Sequence, residues 1–286
     1  MKKQRIVLPT DFSKNAWNAT VYALVLFREV PCDFFIVNAF QVGASGLSTK
    51  MGMANDTRLF TLMKEESERE LDRLLDKIKE LDENPQHTFT TLSIADTLVN
   101  AIGRTVYNKG VDYIVMGTKG ASGLKEVFIG SNTYKVINEI DFCPIIAVPG
   151  EYDMKDNLET ILLATGYEHR FETYEIKPLM KIAKHYGSKL KIIHVDNSEG
   201  LDSQQEASKR MLEKQLKSIP HDFVEVERDA SINHTIQNMV DKDTSIAMLA
   251  MINHDRTFFE RLTRESVIKK ISFNAKVPFL VIHLFE

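Results

Sequence analysis

The stretch "MGTKGASGLKEVFIGSNTYKVI", residues 116–137, begins like the end of a buried strand and finishes like a helix. It carries four glycines, at 117, 120, 123 and 130, in a chain with only 13 glycines among 286 residues. Glycine lets another group approach the backbone closely. Turn glycines in a surface loop would give the same composition, and taken alone the stretch reads equally as such a loop or as a ligand site. The stretch leaves an apolar strand and opens a helix, whose first N–H groups are free and whose dipole end is positive. That is a site for phosphate. Gly117 and Gly120 would let the backbone approach a sugar or phosphate, and Gly130 would do so at the helix start. The Ser131 and Thr133 hydroxyls would add donors, and Lys119 a positive charge. Neither G-x-x-x-x-G-K-[ST] nor G-x-G-x-x-G occurs, which sets the stretch apart from the common phosphate loops.

Upstream, "RIVLPTDFS" (5–13) reads as a short buried strand running into a turn, with Ser13 as a helix N-cap. Behind it Ala16, Thr20, Ala23 and Phe27 share one helix face. "CDFFIVNAF" (32–40) is a second strand. A loop rich in Gly, Ser and Met (41–57) leads to a charge-laced helix with the stripe Leu71, Leu74, Leu75, Ile78 and Leu81. "HTFTTLSI" (87–94) is the third strand, a helix covers about 97–109, "VDYIVMG" (111–117) is the fourth strand and "CPIIAVPG" (143–150) the fifth. Apolar strands alternating with helices indicate an open parallel sheet covered on both faces. Such sheets bind ligands beyond the carboxyl ends of the strands, where strand order reverses.

The order then begins again. "LETILLATGYEH" (158–169), "SKLKIIHVDN" (188–197), "HDFVEVERD" (221–229), "TSIAMLAM" (244–251) and "KVPFLVI" (276–282) repeat the five strands. Leu8 matches Leu163, an offset of 163 − 8 = 155, and Pro144 matches Pro278, an offset of 278 − 144 = 134. The second copy is thus 155 − 134 = 21 residues shorter, mostly at the Gly/Ser/Met loop and the start of the long helix. A period this long is a whole domain. The expected division is 1–150 and 151–286, with "GEYDMKDN" (150–157) as the boundary.

Apolar residues make up 43% and charged residues 27%, as in a soluble globular protein with a full core. A net charge of −4 gives no basic excess for nucleic acid. No apolar run nears the roughly 20 residues that span a bilayer. The basic start "MKKQRIVLPT" is too short in apolar residues for a signal peptide. Cys32 and Cys143 are expected as two buried free thiols, and a cytoplasmic location is the default. The eight histidines lack metal-ligand spacing, so no metal site is expected. No G-x-S-x-G elbow is present, which leaves Ser122 as a loop residue. The segment 64–81 reads as a solvated helix face with i,i+4 pairs.

Gly117-x2-Gly120-x9-Gly130-Ser131-Asn132-Thr133, together with the opening "IVLPTDFS", resembles the signature of ATP-binding universal stress proteins. The resemblance covers both halves, as in a tandem member of that family. It implies two Rossmann-like domains of the adenine nucleotide alpha hydrolase type, each with a five-stranded parallel sheet. It also implies ATP with Mg²⁺ as the ligand. On that resemblance Asp11 would accept from the adenine amino group, over a floor shaped by Pro9 and Thr10. Ala39 would offer backbone contacts to the base, Met116 and Gly117 would flank the ribose, and Gly120, Gly130, Ser131, Asn132 and Thr133 would hold the phosphates. Asn38 departs from the His usual at its place, which the second copy keeps as His194. Met51, Met53 and Met63 would be either a lid over the nucleotide or plain loop.

The second copy departs further. At offset 134, Gly117, Gly120 and Gly130 become Met251, His254 and Arg264, and Ser131 becomes Glu265; at offset 155, Asp11 becomes Gly166. One ATP per chain, in the first domain, is the expectation. The S-G-G-x-D-S loop of the related ATP-cleaving synthetases is absent, and no residue is suited to be a general base for fast hydrolysis. A nucleotide-dependent sensor of the stress response is therefore expected rather than an enzyme. The alternative is a nucleotide-independent, chaperone-like interaction module. The family's dimers join fifth-strand edges, so "PIIAV" (144–148) and "PFLVI" (278–282) should meet antiparallel as an internal pseudo-dimer. A homodimer of such chains is a further possibility.

Overall fold

The computed structural model describes residues 3–41, 50–118, 130–150, 152, 157–196, 200–253 and 276–283, with the backbone alone at 50–56, 196 and 253. In the first half β1 (Gln4–Pro9), α1 (Lys14–Leu26), β2 (Cys32–Phe40), α2 (Lys50–Leu81), β3 (Thr88–Ala95), α3 (Leu98–Lys109), β4 (Tyr113–Gly117), α4 (Ser131–Glu139) and β5 (Ile145–Val148) follow in order. The second half gives β6 (Thr160–Ala164), α5 (Thr173–Tyr186), β7 (Lys189–Asp196), α6 (Ser203–Gln215), β8 (His221–Glu227), α7 (Ile232–Lys242), β9 (Ile246–Asn253) and β10 (Phe279–His283).

All ten strands form one sheet of order β3-β2-β1-β4-β5-β10-β9-β6-β7-β8. Strands within each half are parallel, and order reverses between β1 and β4 in the first half and between β6 and β9 in the second. β5 and β10 pair antiparallel at the centre, Ile146 opposite Leu280, as expected of the two fifth strands. An apolar edge on either half would template aggregation; here each edge covers the other. The two faces of the sheet carry two apolar clusters, and each runs through both halves. Ile6, Ile146, Leu280 and Ile161 belong to one, Val7, Ala147, Phe279 and Leu162 to the other. Cross-half hydrogen bonds add to this: Tyr113 Oη donates to Pro178 O at 2.9 Å and Tyr186 Oη to Leu26 O at 2.9 Å.

Local chemistry explains the helix starts. Ser13 Oγ accepts from Ala16 N at 3.2 Å and Thr97 caps α3 in the same way. Two expectations change. α2 begins at Lys50, inside the stretch read as loop, because 50–57 has no proline and its single Gly52 costs only about 1 kcal/mol in a helix of 32 residues. Its apolar stripe ends at Ile78; Leu81, the last residue of the helix, is 55% exposed. Cys32 and Cys143 are free and buried, and burial pushes the Cys32 thiol up to about 12. That makes it a packing residue.

His283, at the end of β10, is 8% exposed, and burial pushes its pKa down to about 4 against the pull of nearby Asp141. A histidine whose folded pKa is depressed costs stability as pH falls from the unfolded value near 6.5 towards 4, because the unfolded chain takes up the proton first. The loss amounts to up to about 3 kcal/mol. His283→Gln should flatten that part of the stability profile, read from urea midpoints at pH 7 and pH 4.5. An unchanged profile would mean that His283 protonates freely in the folded state.

Candidate functional site

The carboxyl ends of β1 and β4, where strand order reverses, open into a recess of about 110 Å³. Pro9 lines it from the end of β1, Thr10 and Asp11 from the turn just after, Ala39 from β2, Met116 and Gly117 from β4, and Asn132 and Thr133 from α4. These eight are all among the residues singled out from the sequence. Ala16 and Leu98 complete the lining. Neither carries a sequence signal for a site, since both read as ordinary apolar helix positions. Lys119 and Gly120 lie outside the described residues, as do Ser122, His254, Arg264, Glu265 and the side chains of Met51 and Met53. Met63 is half-buried on α2.

Gly130 is the N-cap of α4, with φ −60° and ψ 153° and no side chain to cap the turn. Its N–H donates to Thr118 O, and its carbonyl accepts from Tyr134 N at 2.9 Å. The N–H groups of Ser131, Asn132 and Thr133 have no acceptor among the described residues. They are the uncapped positive end of a helix beside the recess, the arrangement that attracts an anion. Ser131 and Asn132 are exposed, so their side chains are also within a ligand's reach.

Two residues act differently from the sequence reading. Thr133 is 2% exposed and its hydroxyl donates to Gly117 O at 2.7 Å. Its proton ties α4 to β4, so the only donor Thr133 can offer a ligand is its backbone N–H. Gly117 owes its lack of a side chain to packing rather than to a ligand: a Cβ there would stand 2.8 Å from Asn15 O, in the first turn of α1. Gly117→Ala should therefore destabilise the fold by about 1–3 kcal/mol, the cost of overpacking. Thermal unfolding checks this, and a wild-type melting temperature would show that α1 yields without strain.

The turn after β1 is built the same way in both halves. Phe12 and Tyr167 both take positive φ, 62° and 54°. Each gives its N–H to the threonine two residues earlier, Thr10 Oγ1 and Thr165 Oγ1, both at 3.0 Å. A side chain on a left-handed backbone costs about 1–2 kcal/mol, so the turn is held in a strained form twice. Asn38 Nδ2 donates to Thr10 O at 2.8 Å, and His194 Nδ1 meets Thr165 O at 3.1 Å. Asparagine in the first half thus does the work of histidine in the second. Asn38 Oδ1 in turn accepts from Ser67 Oγ of α2 at 2.8 Å, which anchors the long helix beneath the recess.

The halves part in what surrounds that turn. Phe12 is 36% exposed beside Asp11, whereas Tyr167 is 1% exposed and stacks on His194 with centroids 5.4 Å apart. Gln205 Nε2 of α6 donates to Gly166 O at 2.9 Å, over the place that Asp11 holds in the first half. On β9 the strand registers set Ile252, not Met251, at the place of Gly117: Val7 pairs with Ile114, its counterpart Leu162 pairs with Leu249, and an irregularity between Thr160 and Ile161 admits one extra residue. The constant offset of 134 fails there by one. No glycine stands at that place by either count.

A doubly wound parallel sheet with an uncapped helix N-terminus beside its switch point is the class of arrangement in which folds of this kind hold ligands. The sequence model of the universal stress protein family matches residues 3–149. The chain belongs to that family. It is 27% identical over 145 residues to a universal stress protein of Methanocaldococcus jannaschii, covering 51% of this chain and 81% of that protein. It is 48% identical over 40 residues to a universal stress protein of Bacillus subtilis, covering 14% of this chain and 26% of that one. The solved structure of a universal stress protein from Archaeoglobus fulgidus aligns over 99% of both chains at 18% identity, with a TM-score of 0.67. That likeness extends the family fold through the second half.

Proposed function

We propose that this chain binds one ATP in its first domain, residues 1–150, and acts as a nucleotide-dependent regulator of the stress response in the cytoplasm. The second domain, 151–286, keeps the scaffold and serves as the first domain's fixed partner. The observation that carries this reading is the convergence of Pro9, Thr10, Asp11, Ala39, Met116, Gly117, Asn132 and Thr133 on one recess beside the uncapped start of α4. Adenine would sit against β1 and β2 near Asp11, and the phosphates at Gly130, Ser131 and Asn132, with Lys119 and Gly120 closing on them. Mg²⁺ would arrive on the phosphates, as it commonly does at nucleotide sites. No described helix is long and apolar enough to cross a membrane.

The direct test is mass spectrometry of whatever is released on denaturing protein purified without added nucleotide. Retained adenine nucleotide, near one per chain, supports the proposal. Its absence, with no saturable ATP uptake on addition, would favour the interaction module. Ligation also predicts a stability gain. ATP at 100 times its dissociation constant should add about 2.7 kcal/mol if only the folded state binds it. Urea unfolding with and without ATP reads this, and coincident curves would count against binding.

A further inference from the structure

A second cavity lies at the other end of the sheet, between the two halves. It is open to solvent on one side and holds about 400 Å³, within the roughly 300–1,000 Å³ usual for small-molecule sites. Leu26, Phe27, Val30 and Tyr113 line it from the first half, Ile182 and Tyr186 from α5 of the second. The floor is apolar, and Leu26, Phe27, Tyr113 and Ile182 are all buried. Polar groups that could spoil an apolar hollow are engaged elsewhere. The Tyr113 hydroxyl donates to Pro178 O at 2.9 Å. The carbonyls of Val25 and Leu26, at the negative end of α1, accept from Tyr186 Oη at 3.2 and 2.9 Å.

The rim carries two cations. Lys181 and Lys184 border the cavity from one face of α5, with His185 beside them. Lys181 reaches Gln4 Oε1 at 3.3 Å and Asp112 at 3.6 Å. Lys184 and His185 have no ion-pair partner among the described residues, and Lys184 is exposed. An apolar hollow beside surplus positive charge fits a molecule with an apolar body and one anionic end.

We propose that this inter-domain cavity binds a small amphipathic carboxylate, with the hydrocarbon on the Leu26, Phe27 and Ile182 floor and the carboxylate at Lys184 and Lys181. At roughly 30 Å³ for each water-sized group, the volume suits about a dozen heavy atoms. Because both halves line the cavity, the ligand would bridge them. The site is separate from the recess at α4, so it stands whether or not ATP binds there.

The test is calorimetric titration of the full chain with decanoate, below its micelle concentration, and with decyltrimethylammonium as the cationic counterpart. Decanoate should bind saturably at one site per chain, and the cation at least tenfold more weakly. Lys184→Glu and Lys181→Glu together, both at exposed helix positions, should weaken decanoate at least tenfold while circular dichroism stays unchanged. Val30→Arg, which fills the mouth but keeps the cations, should also lose binding. Equal affinity for both surfactants, or decanoate binding unaffected by either variant, would overturn the proposal. So would a concentration-dependent dimer that Lys184→Glu abolishes in a protein with no decanoate uptake; that would make the cavity a contact for a second copy.

Discussion

Leu280→Asp is expected to abolish cooperative folding of the whole chain, not of its second half alone. Leu280 is fully buried and pairs with Ile146 where the two fifth strands meet. Losing the buried leucine costs about 2–3 kcal/mol, and an unpaired carboxylate in the same place adds several more. The sum, on the order of 5 kcal/mol or above, matches the whole stability of many domains. The charge would sit in a cluster that also contains Ile6, Val115 and Ile161, so both halves share the damage. Leu280→Ala should lose about 2–5 kcal/mol through its cavity and still fold, which keeps the comparison readable. Urea unfolding followed by far-ultraviolet circular dichroism is the measurement. A Leu280→Asp chain with a native first transition would mean that the halves fold independently and that β10 contributes little to β5.

Gly130→Asp should lower ATP affinity about a hundredfold without harming the fold. Gly130 already has N-cap dihedrals with negative φ, so a side chain meets no left-handed strain. Aspartate is among the best N-cap residues, and its carboxylate takes the free N–H groups of the first turn. Helix α4 should be as stable as before or slightly more so. The same carboxylate occupies the donors proposed for the phosphates and repels their charge. Charge-assisted hydrogen bonds are worth about 1.5–3 kcal/mol each, and a hundredfold corresponds to about 2.8 kcal/mol. Gly130→Ala, with a methyl group and no charge, should bind nearly as the parent does. Equilibrium dialysis with labelled ATP separates the three proteins. Parental affinity in Gly130→Asp would mean that the phosphates are held somewhere other than the start of α4.

The strands, the parallel sheet and the meeting of the fifth strands were legible because buried parallel strands announce themselves as apolar runs, and because the same run of elements occurs twice. The lining of the recess was legible for a related reason. Ligand-facing residues in this fold sit at strand ends, and strand ends are where "LPTD" and "VMGT" stop being apolar. What stayed hidden depends on tertiary contact. Nothing around Gly117 announces that Asn15 O will lie against it, and a Thr133 hydroxyl turned inward looks the same in sequence as one turned outward. Phe12 and Tyr167 are aromatic residues on left-handed backbone, which local preference argues against; the threonine two places before each holds them there. The one-residue slip on β9 is invisible to a constant offset, since only strand pairing shows where the extra residue enters.

One nucleotide per chain, held in the first half, is the stoichiometry proposed. Calorimetric titration of ATP with Mg²⁺ into the intact chain tests it most directly, through the stoichiometry. A single saturable site, with one ATP per chain at the end point, is the expected result. Two equivalents per chain would mean that the second half binds despite its covered turn at Gly166, and no saturable heat would mean that the recess at β1, β4 and α4 is not a nucleotide site.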